Sequence, residues 1–214
     1  TTSESILLAK EVAGSTARGI SAVGPIGYPG SLAMLMAHYK AIAESVEMPF
    51  YAYYFDVQNN GLPTPADTFC EELLRIPNIR GMKFSSPNMV ALGLIRNYVG
   101  EDFTLFSGVD ELFCHAFLSG ADAVIGSQYN IWLPECIFAY SRMLKGDVAY
   151  ARSFMLDLQA AVHAMSPNMW GFWEKAMLLR HGVPLKCTMS PLALGSQEWS
   201  EEEILKILDM VKGK

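Results

Sequence analysis

Two kinds of hydrophobic pattern alternate along the chain. Short apolar runs rich in aromatic or β-branched residues, such as FYAYYFDV at 50–57, are typical of strands. Longer runs such as SLAMLMAHYKAIAESV at 31–46 predict helices. The predicted strands lie at 19–25, 50–57, 79–86, 103–110 and within 121–130. The predicted helices lie at 3–15, 31–46, 65–76, 87–99, 111–119, 132–145, 148–165, 168–181 and 200–213, and the first has Ser3 or Ser5 as its N-cap.

This alternation predicts an α/β fold made of parallel βαβ units. Two architectures fit the pattern, an open doubly wound sheet and a (β/α)8 barrel without its first strands. In both, functional residues lie at the carboxyl ends of the strands. We expect residues 1–147 to hold the strands with their helices, and residues 148–214 to form a helical extension of the same domain.

The composition is that of a globular protein with a sizeable core. Of the 214 residues, 51% are hydrophobic and 18% are charged, which excludes a disordered chain. The net charge of −6 argues against nucleic acid and an anionic membrane as partners. No apolar run reaches the roughly 18 residues of a membrane span.

Cysteine and histidine spacing adds to this picture. The four cysteines are widely spread without a CxxC pair, and the first residues show no secretory signal, so we expect reduced thiols in a cytoplasmic protein. The four histidines have no HxH or HxxxH spacing, which argues against a metal site.

Lys83 lies inside the predicted strand IRGMKFSS, between Met82 and Phe84. Because side chains alternate along a strand, Lys83 is expected to share one face with Ile79, Gly81 and Ser85. In a barrel that face is the interior, and Met82 and Phe84 pack against the helices. A buried lysine favours the neutral amine that attacks a carbonyl carbon. The pattern also fits a lysine that extends from a strand end into solvent.

Other polar residues stand near predicted strand ends. A hydroxyl of Tyr53 or Tyr54 would be able to relay protons, although aromatic packing is the commoner role of tyrosine in a strand. Asp110 and Glu111 open a helix, where the helix dipole favours acidic residues, and they would also be able to hold the hydroxyls of a polyol. Ser127 is a candidate for binding an anion or a hydroxyl. The segment NMWGFWEKAM at 168–177 is interpreted as core packing.

Five segments, in order along the chain, resemble the pyruvate-dependent class I aldolase family, whose branches are the dihydrodipicolinate synthases and the N-acetylneuraminate lyases. They are GPIGYPGS (24–31), MPFYAYYFD (48–56), IRGMKFSS (79–86), FSGVDE (106–111) and GADAVIGSQYN (120–130). The resemblance extends from the first residue to about residue 195. It implies a (β/α)8 TIM barrel, of which the first three strands do not occur in this sequence.

The resemblance also implies the roles of individual residues. Lys83 stands at the position of the lysine that forms a Schiff base with pyruvate. Tyr53, four residues after Pro49, stands at the position of the proton-carrying tyrosine, and Tyr54 is the reserve. The implied substrate-binding residues are Ser85, Gly108, Asp110, Glu111, Gly126 and Ser127. The resemblance implies no metal or organic cofactor, small-molecule substrates and a homotetramer.

The lyase branch fits better than the synthase branch. Gln58 stands where a synthase has an arginine that holds a second carboxylate, and the loop at 26–29 is closer to the lyase pattern. The implied reaction is the aldol cleavage of N-acetylneuraminate (sialic acid) into pyruvate and N-acetylmannosamine. The alternatives are another 2-keto-sugar-acid aldolase and, less favoured, a dihydrodipicolinate synthase.

One family motif is not found in the sequence. The Gly-Thr-Thr-Gly-Glu-type loop, with which the family binds the pyruvate carboxylate, does not occur in these 214 residues. This favours another alternative, a truncated and catalytically silent barrel relative that acts as an interaction protein. The retained Lys83, Tyr53, Asp110 and Glu111 favour the enzyme.

Overall fold

A sheet of five parallel strands organises the first half of the chain. The structure, a computed structural model, describes residues 1–25, 30–55, 65–185 and 198–212. The strands are β1 (Ile20–Val23), β2 (Phe50–Phe55), β3 (Ile79–Ser85), β4 (Thr104–Ser107) and β5 (Ala123–Val124). Each strand pairs in parallel with the next one along the chain. This consecutive order is that of a barrel wall, because the strand order of a doubly wound sheet reverses at a switch point.

Helices follow the strands as predicted. In the described ranges they are α1 (Thr2–Ala13), α2 (Leu32–Ala43), α3 (Ala66–Leu74), α4 (Met89–Val99), α5 (Phe113–Leu118), α6 (Tyr129–Leu144), α7 (Val148–Met165), α8 (Met169–His181) and α9 (Glu201–Leu208). Short 3-10 turns at Asp110–Leu112 and Ser166–Asn168 precede α5 and α8. None of the helices within the described residues is long and apolar enough to cross a membrane.

Several element ends differ from the prediction. The N-cap of α1 is Thr1 and not Ser3 or Ser5. The Thr1 hydroxyl accepts the Glu4 backbone N–H, and the Thr1 ammonium donates to the Glu4 carboxylate. Asp110 lies in a 3-10 turn and not at the end of a strand. β5 has two residues, and α6 already begins at Tyr129. The predicted end of the second strand, residues 56–57, lies outside the described residues.

The chain forms two compact units. The first consists of Thr1–Val109 and His115–Ile125, and the second consists of Asp110–Cys114 and Gly126–Lys214. The division expected at residue 147 stays a prediction.

The core of the first unit lies between the sheet and its helices. The buried strand residues include Phe50, Ala52, Met82, Phe84 and Leu105. They belong to one cluster with helical residues such as Leu35, Tyr39, Leu73, Leu92 and Ile95. The prediction that Met82 and Phe84 pack against the helices is therefore confirmed.

Ile79 does not share the face of Lys83, which corrects the prediction. Ile79 pairs with Phe50, but Gly81 pairs with Tyr51, so the register shifts by one residue between these pairs. Ile79 consequently joins Phe50 in the buried cluster beneath the helices.

Within the described residues, β1 has a strand partner on one side only. A groove of about 420 Å³ runs along this edge, and Leu8, Val12, Ser21 and Val23 are among the residues that line it. Parallel strands offer unpaired backbone groups at an open edge. The Val23 carbonyl of β1 has a side-chain partner, because Nε2 of the buried His38 lies 3.2 Å from it.

The second unit is helical. Its buried residues include Trp132 and Phe172, whose rings stack with centroids 6.3 Å apart. The Trp132 indole N–H donates to the Leu208 carbonyl at 3.3 Å, which ties α6 to α9. All four tryptophans of the chain lie in this unit.

Candidate active site

Lys83 and Tyr53 lie side by side on neighbouring strands of the first unit. They are register partners of β3 and β2. The Lys83 ammonium donates a hydrogen bond to the Tyr53 hydroxyl at 3.1 Å, and Nζ lies 4.2 Å from the centre of the Tyr53 ring. Both side chains are half-buried. The sheet therefore presents an amine and a phenol in direct contact, on the face opposite the helix-covered core.

The backbone of Tyr53 accepts a hydrogen bond from a residue that the sequence did not single out. The hydroxyl of the fully buried Tyr39 donates to the Tyr53 carbonyl at 2.7 Å. This bond fixes the backbone of β2 at the position of the candidate tyrosine. An apolar helix containing one tyrosine gives no sequence signal for such a bond.

Tyr54 faces the other way. Its ring stacks on Phe84, with centroids 5.2 Å apart, and meets Phe69 edge-on at 5.5 Å. Both neighbours belong to the helix-covered cluster. The geometry therefore favours Tyr53 over Tyr54 as the partner of Lys83.

Ser85 and Gly108 complete the surroundings of Lys83 in the first unit. The buried Ser85 hydroxyl donates to the Gly108 carbonyl at 3.4 Å. A β-carbon on residue 108 would overlap the Ser85 Oγ and would stand 2.6 Å from Lys83 Cε. Only glycine lets the backbone after β4 approach the lysine this closely.

The electrostatics of this group act on Tyr53. Burial raises the pKa of the phenol, but hydrogen bonds from Ser85 and Lys83 and the charge of Lys83 outweigh it. The pKa of Tyr53 is therefore lowered from its ordinary value. A phenol with a lowered pKa ionises more readily, so a larger fraction of it is the phenolate that can accept a proton.

In the second unit, Asp110 is the most buried of the candidate carboxylates. Its Oδ2 accepts the Gln128 backbone N–H at 2.9 Å. Its Oδ1 is buried and has no hydrogen-bond partner in the described part of the chain. Burial raises the pKa of Asp110, the bond from Gln128 opposes this, and the charge of Glu111 raises it further. Hydrogen bonds with the Tyr129 side chain and the Ser127 backbone also oppose the rise in the pKa of Asp110.

Gly126, Glu111 and Ser127 adjoin Asp110 in different ways. A β-carbon at residue 126 would overlap Asp110 Oδ1, so the carboxylate fills the space of the missing side chain. Glu111 is half-buried, and its carbonyl accepts a hydrogen bond from the Gln159 side chain at 2.9 Å. Ser127 is exposed.

Two neighbours of Asp110 were missed by the sequence reasoning. Gln128 is buried and supplies the amide that holds the carboxylate. The Tyr129 hydroxyl is buried beside Asp110, and the pKa of Tyr129 is raised by burial and by the Asp110 charge. Both lie within the segment GADAVIGSQYN, and their place in that motif is the sequence feature that could have identified them.

Some of the sequence positions used above lie outside the described residues. These are the loop at 26–29 and residues 56–64, which include Gln58. Among the residues that the structure does describe, no group of three or more His, Cys, Asp or Glu side chains could hold a metal ion.

Comparison with known proteins relates this arrangement to a family. The model of the dihydrodipicolinate synthetase family matches residues 1–209. The chain belongs to the dihydrodipicolinate synthetase family. Members of this family are class I pyruvate-dependent lyases and aldolases.

Curated relatives from two branches match the chain. An N-acetylneuraminate lyase from Rhizobium meliloti is 35% identical over 129 residues, which are 60% of this chain and 42% of that protein. A 4-hydroxy-tetrahydrodipicolinate synthase from Methanosarcina mazei is 28% identical over 165 residues, 77% of this chain and 56% of that protein. The chain thus spans about half the length of these relatives.

Solved structures show the fold of the family. The sialic acid aldolase of Ruminococcus gnavus, in a catalytic lysine mutant, superposes with a TM-score of 0.87 at 19% identity, over 99% of this chain and 70% of that one. The five consecutive parallel strands with their helices are accordingly part of a TIM barrel, as the sequence predicted.

Proposed function

We propose that the chain carries the Schiff-base chemistry of a class I aldolase that cleaves N-acetylneuraminate into pyruvate and N-acetylmannosamine. The observation that carries the proposal is the 3.1 Å hydrogen bond between the Lys83 amine and the Tyr53 hydroxyl. A nucleophile in contact with a proton carrier is the arrangement that this reaction requires. The 35% identity to a lyase supports the choice of branch.

Lys83 is the nucleophile of the proposed reaction. Its neutral amine attacks the C2 ketone of the open-chain sugar acid, and loss of water gives an iminium ion. The iminium then accepts the electron pair of the C3–C4 bond as that bond breaks, which leaves an enamine. Protonation of the enamine at C3 and hydrolysis release pyruvate and restore the amine.

Tyr53 is the proton carrier. As the C3–C4 bond breaks, the C4 hydroxyl becomes the aldehyde of N-acetylmannosamine and must lose its proton. Tyr53 accepts this proton, and its lowered pKa favours the phenolate that does so. The side-chain interaction of Ser85 with the same phenol also lowers its pKa and thereby favours that form.

The remaining candidates bind substrate. We assign the hydroxylated tail of the sugar acid to Asp110, Glu111 and Ser127, since carboxylates and hydroxyls bind polyols through hydrogen bonds. Asp110 and Glu111 share one 3-10 turn, and Ser127 precedes the residue whose amide holds the Asp110 carboxylate, which supports this assignment. Gly108 and Gly126 contribute by leaving room for Lys83, Ser85 and Asp110.

We further propose a cytoplasmic homo-oligomer, a tetramer by family resemblance. The outer side of α4 carries Val90, Leu94 and Tyr98 at helical spacing, and all three are exposed. The one charged residue of this helix, Arg96, is buried, so the outward face is uncharged. In an antiparallel contact with a second copy, the acidic Glu101 and Asp102 beyond the end of α4 would face the positive end of the partner helix. These features support self-association through α4.

Trapping with sodium borohydride tests the proposal. Pyruvate and borohydride are added to the longest natural form of the protein and to the 214-residue chain, and the modified peptide is identified by mass spectrometry. We expect a reduced pyruvyl adduct on Lys83 and none in Lys83→Arg, whose guanidinium forms no such imine. Lys175→Arg is the matched control and should trap as the wild type does. The absence of an adduct from both forms would overturn the proposal.

The second candidate is an interaction protein without activity. The same trapping experiment distinguishes it from the enzyme. An adduct on the longer form alone would show that the rest of the protein supplies the carboxylate site. No adduct on either form would favour the interaction protein.

A further inference from the structure

Gln128 connects the Asp110 carboxylate to helix α8. Its backbone N–H donates to Asp110 Oδ2 at 2.9 Å. Its side-chain Oε1 accepts the indole N–H of Trp173 at 3.3 Å, and its Nε2 lies 3.8 Å from the sulfur of Met169. The residue is buried, with 4% of its surface exposed. A single glutamine thus joins the 3-10 turn of Asp110 to α8, and all of these residues belong to the second unit.

The main chain of Gln128 also starts helix α6. Its carbonyl accepts from the amides of Ile131 and Trp132, both at 2.9 Å. Its side chain makes no capping bond to α6. The side chain is therefore free to bond to Trp173, and this bond fixes the first turn of α6 from the side of α8.

The segment around Trp173 has an unexpected role. By pattern, residues 168–177 read as core packing, and Phe172 and Ala176 are indeed fully buried. Trp173 is only half-buried, and it directs its polar N–H to Gln128. The indole N–H is the single hydrogen-bond donor of the tryptophan side chain, and here it donates to Gln128. Because the indole is a rigid ring with two side-chain torsions, this bond holds Gln128 in place.

We propose that Gln128, anchored by Trp173, is a positioning residue that orients the Asp110 carboxylate and so sets the preference for substrates with a long hydroxylated tail. This inference rests on the proposed function, because it takes Asp110 as a ligand of that tail. The carboxylate has a fixed orientation, because Oδ2 accepts the Gln128 amide and Oδ1 is packed against Gly126. Loss of the anchor lets the first turn of α6, with its donor to Asp110, shift.

A double-mutant cycle tests the anchor. Gln128→Leu removes the Oε1 acceptor and keeps a side chain of similar volume. Trp173→Phe removes the indole N–H donor and keeps an aromatic ring. Each is expected to raise KM for N-acetylneuraminate by about three- to tenfold, the effect of one neutral hydrogen bond, with little change in kcat. The double variant is expected to be no worse than the single ones, because both remove the same bond. Trp170→Phe, an exposed position on the same helix, is the matched control and should behave as the wild type.

A second substrate separates positioning from general damage. A six-carbon 2-keto-3-deoxy sugar acid lacks the three-carbon tail, so its KM is expected to stay the same in all variants. Equal changes for both substrates, additive effects in the double variant, or unchanged KM values would each overturn the inference. Should Gln128→Leu not fold, Trp173→Phe with its Trp170→Phe control carries the test.

Pyruvate trapping keeps the two proposals apart. The adduct on Lys83 is expected to form at wild-type rate in Gln128→Leu and Trp173→Phe, because pyruvate has no tail. If the variants form the adduct normally and keep the wild-type preference for the long tail, the role of Gln128 is overturned but the proposed function is not. A wild-type protein that forms no adduct overturns the proposed function and this inference with it.

Discussion

The Asp110 carboxylate occupies the space that a side chain at Gly126 would need. A β-carbon there would overlap Oδ1 and would lie 2.7 Å from Oδ2. The carboxylate is thereby packed against the backbone on one side and bonded to Gln128 on the other. Its position is set by sterics as well as by hydrogen bonding.

Gly126→Ala is expected to displace Asp110. Overpacking at a buried site costs about 1–3 kcal/mol, so the variant should unfold at a lower urea concentration and bind a sugar acid more weakly. Gly93→Ala is the control, because a β-carbon at residue 93 of α4 meets only the Ser119 carbonyl, at 3.8 Å. That change should be neutral or stabilise by up to about 1 kcal/mol, the helix propensity gain of alanine. Wild-type stability and binding in Gly126→Ala would contradict the close approach.

Removal of the Lys83 amine is expected to raise the pKa of Tyr53. In Lys83→Met the phenol loses a hydrogen bond and a neighbouring positive charge, while burial, which raises the pKa, remains. Ultraviolet difference titration against Tyr53→Phe isolates the signal of this tyrosine from the others. The phenol of the wild type should ionise at a lower pH than that of Lys83→Met. The same midpoint in both proteins would show that the lysine does not act on Tyr53.

The buried Arg96 is expected to be a major determinant of stability. Its guanidinium bonds to the Phe103 carbonyl at 3.0 Å and also to the Gly100 carbonyl and the Asp122 carboxylate. Arg96→Met removes the guanidinium donor from these carbonyls, and a buried acceptor left without its donor costs about 1–3 kcal/mol. The Asp122 carboxylate is partly exposed and keeps the Leu105 amide as a donor, so its loss adds little. Arg75→Met removes two exposed ion pairs, with Glu71 and Glu72, at the end of α3 and should cost less than about 1 kcal/mol. Urea unfolding of the two variants gives the comparison, and equal losses would refute it.

His38 is expected to make stability depend on pH. Burial lowers the pKa of the imidazole, although the hydrogen bond to the Val23 carbonyl opposes the shift. The unfolded chain therefore takes up a proton near pH 6.5, before the folded chain does, and stability falls as the pH drops below that value. His38→Gln does not titrate at this position. The difference in unfolding free energy between the two proteins should shrink from pH 7.5 to 5.5, and a constant difference would argue against the shift.

The sequence predicted the sheet and the strand face on which Lys83 lies, for a local reason. Apolar strands and amphipathic helices leave periodic patterns, and strand alternation places Lys83 on the face opposite Met82 and Phe84. The comparisons confirm the family and the barrel fold. The roles of Lys83 and Tyr53 and the choice of substrate stay predictions.

The hydrophobic pattern did not predict contacts between residues that are distant in the sequence. Trp173 and Gln128 are 45 residues apart, and Tyr39 and Tyr53 are 14 apart, so no periodicity relates them. The register shift that moves Ile79 into the core depends on how β2 and β3 pair, which a single strand does not encode. Gly126 was expected to bind substrate, and its close contact with Asp110, 16 residues earlier, leaves no signal in the sequence.

The placement of the four tryptophans in the second unit has a spectroscopic consequence. Indole emission excited at the red edge of protein absorption reports on that unit, and the lysine and its phenol contribute nothing to it. A denaturation curve recorded by this emission therefore follows the helices around Trp132 and Trp199. The strands that hold the amine are visible only to circular dichroism, to tyrosine absorption or to an inserted fluorophore.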